Sequence, residues 1–128
     1  MEISVGELLS LDRVVNEVSN QKIDTLLGYK IARILRKIAN EVVVAEETRT
    51  KTIMPYVKKD EKGEPIVNDN NTYDVIDGKQ AEVAKALNNF FDTKITIDVP
   101  LLTLKDLEQM ELTPKQIETL IPIIDDKD

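Results

Sequence analysis

The side chains that most often move protons or bind transition metals near neutral pH are missing from this chain. It has no histidine and no cysteine. Nucleophilic triads and zinc sites of the usual kinds are therefore excluded. The four glycines, Gly6, Gly28, Gly63 and Gly78, are scattered and form neither a phosphate-binding loop nor a dinucleotide fingerprint. Carboxylates remain. Glu41, Glu46 and Glu47 are the best magnesium ligands the sequence offers, but five residues separate Glu41 from Glu46. On a helix that spacing turns them apart by about 140°, so they read as the solvated side of an amphipathic helix. Asp69-Asn70-Asn71-Thr72-Tyr73-Asp74 has the composition of a calcium loop but lacks its central glycine and closing glutamate, and reads as a polar loop tip. No catalytic set, metal site or cofactor is expected. The chain reads as a binder, not an enzyme.

The cations are better organised. Lys30, Arg33 and Lys37 follow at three- and four-residue spacing, a ridge on one helix face, with Arg36 beside it and Tyr29 able to offer a stacking surface. Guanidinium groups fork onto phosphate or carboxylate, so the ridge suits an anionic nucleotide or an acidic protein surface. The alternative is that it neutralises the acidic C-terminal half, within the chain or across a subunit boundary. Residues 22–59 hold nine Lys/Arg against four Asp/Glu, residues 60–128 seven against sixteen, and residues 1–21 one against four. The net charge of −7 thus hides a bipolar chain, and its acidic bulk argues against duplex nucleic acid.

The elements that must carry these residues are legible. At 128 residues, with 41% hydrophobic and 32% charged side chains, the sequence is expected to form a single domain over 1–128. Ser4 and Glu7 make a capping box, and Leu8, Leu11, Val14, Val15 and Val18 recur at helical spacing behind it. Asp24 caps a second, long helix striped by Leu27, Ile31, Ile34, Leu35, Ile38, Val42 and Ala45, with no proline before Pro55. Its length of about 40 Å outruns one small core and predicts a helical hairpin, a homo-oligomer seamed along it, or both. Residues 55–74 form an exposed excursion in which Tyr56–Lys58 and Pro65–Val67 can pair as a hairpin. A third helix, about 78–91, follows and packs antiparallel on the long one. Lys94–Val99 alternates with period two and is the best strand. Thr103 with Asp106, and Thr113-Pro114-Lys115-Gln116, open two short helices, and disorder is expected from about 125 to 128. No internal repeat is evident. The fold class expected is α+β, predominantly helical: a long antiparallel helix pair, a small β element and short C-terminal helices. With no apolar run near the length of a membrane span and no signal-like start, residence in the cytoplasm is expected.

Gly28-Tyr29-Lys30-Ile31-Ala32-Arg33, the Asp60-Glu61-Lys62-Gly63-Glu64 excursion, Leu87–Phe91, Ile95–Leu102 and Leu107–Pro114 occur here in an order that resembles small proteins of tailed phages and prophages of Gram-positive bacteria, a family known only as a domain of unknown function. The similarity runs from about residue 22 to residue 121, and the strand followed by Glu111-Leu112-Thr113-Pro114 is its most specific part. It implies a phage gene product, and the basic ridge with Tyr29 tilts the expectation toward an accessory protein acting in the host cytoplasm by binding. The partner would be a host defence protein or an anionic nucleotide signal, or else the chain is a tail or capsid assembly protein. It carries over no functional residue.

Overall fold

A computed structural model describes residues 1–125. The chain divides into two compact units, Met1–Val43 with the segment from Lys94 onward, and Val44–Thr93. It is predominantly helical α+β: one long helix, two-stranded sheets and short C-terminal helices. None of its helices, among the described residues, is long and apolar enough to cross a membrane.

In the first unit, strand β1 (Glu2–Ser4) runs directly into helix α1 (Val5–Val18). Ser4 Oγ accepts from the Glu7 N–H, and the Glu7 carboxylate accepts in return from the Ser4 N–H. That hydrogen bond to the Ser4 backbone, above all, holds the Glu7 carboxyl below its ordinary range. Slight burial opposes the shift, while Lys94 at 3.7 Å adds to it. Behind the cap, Leu8, Leu11, Val14, Val15 and Val18 are buried, as their spacing predicts. The second face of this core comes from helix α2 (Thr25–Ile53), through Leu27, Ile31, Ile34 and Ile38. Asp24 caps α2 by accepting the Leu27 N–H at 2.8 Å.

The strand expected at Lys94–Val99 is shorter, β2 (Lys94–Thr96), and pairs antiparallel with β1 in the register Ile3↔Ile95. Reciprocal bonds between Met1 and Ile97 extend the ladder by one step. The C-terminal segment builds strand β3 (Leu102–Thr103), then α4 (Leu104–Glu108) and α5 (Pro114–Leu120), each opened by its expected capping box, and strand β4 (Ile124–Asp125). β4 lies parallel to β3, pairing Thr103 with Asp125. Disorder was expected from about 125, but Asp125 belongs to this sheet; residues 126–128 lie outside the described residues. Gln21 clamps the connection after α4: its amide donates to the Glu111 carbonyl and accepts from the Glu111 N–H, both at 2.9 Å.

The second unit holds the end of α2, a looped stretch, and α3 (Gln80–Asp92). The Arg49 guanidinium of α2 sits 5.8 Å from the Phe91 ring of α3. The looped stretch is more ordered than its composition suggests. Three segments meet through single antiparallel bridges, Val57↔Val75, Lys59↔Pro65 and Val67↔Tyr73, so each pairs with both others and the three close as a triangle. The expected hairpin between 56–58 and 65–67 is one side of it. The bridging positions recur every eight residues, and three turns separate or follow them in the same phase: Gly63 N–H to Asp60 carbonyl, Asn71 to Asn68 and Lys79 to Ile76. The geometry repeats although the sequence does not. No repeat was expected because Val57, Pro65 and Tyr73 share no side-chain type, only a place. Side chains lock two of the turns: Asp60 accepts from the N–H groups of Lys62 and Glu64, and Asn68 donates to Thr72 and Asp74.

Candidate functional site

A 29-residue helix that buries one face leaves another in solvent. On α2 the buried positions are Leu27, Ile31, Ile34 and Ile38, and the exposed ones include Tyr29, Arg33, Arg36 and Lys37. Four-residue spacing sets Arg33 one turn beyond Tyr29, and its guanidinium carbon lies 6.0 Å from the centre of that ring, at the outer limit of a cation–π contact. Tyr29 is 66% exposed. Together with Ala32 and Arg36 these side chains line a cleft of about 130 Å³. Among the described residues, Arg33, Arg36 and Lys37 form no ion pair with any carboxylate.

Lys30 differs. Its ammonium donates to Asp106 Oδ2 at 2.7 Å and to the Leu101 carbonyl at 3.1 Å. Of the five residues the spacing singled out, four thus stay available and one is tied to the acidic C-terminal segment. For Lys30 the neutralising alternative is the one realised. The partner is well prepared. Burial pushes the Asp106 carboxyl up, but the hydrogen bond from Lys30, that from the Thr103 N–H, and the ammonium charge outweigh it and leave it below the ordinary carboxylate range.

The remaining candidates stay apart. Glu46 pairs with Arg49 at 3.8 Å and Glu47 faces solvent. No three acidic side chains converge as a metal would require, among the described residues. A larger groove of about 540 Å³ lies at the start of α2, floored by Gly28, Ile31, Ala32 and Leu35 and walled by residues 21–25. Sequence reasoning missed it, because a groove is set by what does not fill it; Gly28 and Ala32, small residues beside the apolar stripe of α2, were the only signal.

A scan against protein-family models gives no match for this chain, and searches of curated proteins and of solved structures find no similar protein.

Proposed function

We propose that this chain is a non-catalytic phage accessory protein that works in the host cytoplasm as a homo-oligomer and binds an acidic protein surface of a host defence factor through Tyr29, Arg33 and Arg36, with Lys37 beside them. The observation that carries the reading is the set of exposed cations on one helix that no carboxylate neutralises among the described residues, next to an exposed aromatic ring. Cleft size favours a protein surface over a nucleotide. About 130 Å³ is well below the roughly 300–1,000 Å³ of sites that enclose small molecules. The larger groove has the volume, but its wall sets Asp24 against Lys22 and so offers a phosphate no net positive charge. The lack of histidine and cysteine supports a role without catalysis, and the resemblance in motif order supports the phage setting.

Charge reversal tests the reading. Arg33→Glu with Arg36→Glu removes two charge-assisted contacts, each worth about 1.5–3 kcal/mol, and should abolish the protein's benefit to phage growth in a host carrying the defence. The fold should survive, since both side chains are exposed. In a host without the defence, deleting the gene should change nothing. Arrested particle formation in both hosts would instead identify a virion assembly protein.

A further inference from the structure

Gly28 stands in a helix without a local reason to be glycine. Only proline is a poorer helix former, and a helix keeps glycine where a left-handed backbone or a close neighbour demands it. Neither demand exists here. Gly28 lies within α2 without a positive φ, and the space a Cβ would occupy has no atom within 4 Å. What the missing side chain leaves is the groove of about 540 Å³, floored by Gly28 and, one turn on, by Ala32. Larger side chains at these two positions would fill it.

The polar walls of the groove are already engaged. Ser19 Oγ donates to the Asn16 carbonyl, the Gln21 amide is bonded both ways to the Glu111 backbone, and Asp24 accepts the Leu27 N–H. Ile23, Ile31 and Leu35 supply apolar surface. An occupant is therefore held there mainly by apolar contact. The two ends differ in charge. Near residues 21–25, Lys22 and Asp24 offset each other and Glu111 stands beyond Gln21. At the other end the floor runs into the cleft, because Ala32 lines both, and Gly28, Ala32 and Arg36 follow at four-residue spacing on one row of α2. Arg33 and Arg36 form no ion pair among the described residues, whereas Lys30 is held by Asp106 and takes no part. An apolar occupant that continues along the row meets net positive charge at this end.

We propose that groove and cleft form one docking site for an extended peptide segment of the partner, with an apolar side chain over Gly28 and Ala32 and a carboxylate on Arg33 and Arg36. This rests on the reading that the arginines bind an acidic protein surface, and adds the anchor that surface must carry. Arg36 lies about 12 Å beyond Gly28 and about 6 Å beyond Ala32 along the helix axis. Two to four residues of extended chain span that distance.

A display library of random twelve-residue peptides, panned on the full chain, tests the site. Selected sequences should converge on a large apolar residue with Asp or Glu two to four positions away. Gly28→Leu fills the floor and should weaken binding of the selected peptide, read by fluorescence anisotropy, by about tenfold or more. Arg33→Gln with Arg36→Gln should weaken it by about a hundredfold. Gly28→Ala should raise the melting temperature, since nothing local requires the glycine. Melting of Gly28→Leu no lower than that of the wild type verifies its fold. Convergence on acidic residues without an apolar anchor, or full affinity in Gly28→Leu, would overturn the groove and leave the arginine reading standing. Convergence on apolar residues alone, with binding untouched by the arginine changes, would overturn both. A library that converges on nothing rules the docking site out. A wild-type oligomer that Gly28→Leu turns into monomers would give the groove to a second copy and sink the proposal.

Discussion

Lys30 and Asp106 show how a residue's role is decided by what reaches it. On its helix Lys30 is one of several cations with equal claim on an anion; in the folded chain it bridges to the segment before α4 and to a carboxylate only partly open to solvent. Asp106 is bound three ways, by the Lys30 ammonium, by the Thr103 N–H, and through its own N–H to Thr103 Oγ1. Its folded-state pKa and that of Glu7 are both depressed. Their stabilisation is therefore complete above the ordinary carboxylate range and is lost as pH falls through the lower folded-state values. Chemical denaturation at a series of acidic pH values should show stability declining there, and Asp106→Asn with Glu7→Gln should flatten that decline. An unchanged slope would mean that neither carboxylate is linked to folding.

At the scale of elements, the helices are governed by their ends and the triangular β element by its turns. Removing the first cap, Ser4→Ala, should cost about 1 kcal/mol, the usual worth of such a residue, seen as a lower midpoint in urea. In the triangle, Gly63 has a φ of 81° and Asn71 a φ of 61° at equivalent places in successive turns, and both are residue types that tolerate the left-handed region. Gly63→Val forces a β-branched side chain into that region. It should destabilise the second unit by about 1–2 kcal/mol, although open space surrounds the position. Asn71→Gly should be neutral or stabilising. If Gly63→Val were as stable as the wild type, the turn would not hold the triangle.

Across the whole molecule, apolar burial is uneven. Ala45, Val57 and Val83 are the buried apolar side chains of the second unit among the described residues, while the first unit gathers both faces of a layered core. Local stability follows the density of buried apolar contact. Amide hydrogen exchange should therefore be faster in α3 than in α1, and Val57→Ala should accelerate exchange across residues 56–76 with little change in α1. Equal protection of α1 and α3 would show that the two units unfold as one. Leu11→Ala, by contrast, strikes the fully buried middle of α1 and should lower global stability by about 2–5 kcal/mol.

Local chemistry was enough to determine much of this protein. Three capping boxes, the Asp24 cap and the apolar stripes of α1 and α2 were readable because each depends on side chains within a few residues of one another, where helical spacing fixes who can touch whom. The exposed cation face was readable for the same reason. Tertiary structure alone decided the rest. β1 has three residues and no alternation to detect; it is a strand because Lys94–Thr96 lies beside it. The pairing of Leu102–Thr103 with Ile124–Asp125 joins segments too short to have a period. The triangle at 57–75 repeats in hydrogen bonds to the backbone, which every residue type can make, so no residue pattern announces it. Lys30 left the exposed cationic ridge because Asp106, seventy-six residues away in sequence, came within 2.7 Å. Spacing along a chain sets which side chains share a face, but only chain reversal sets what that face meets.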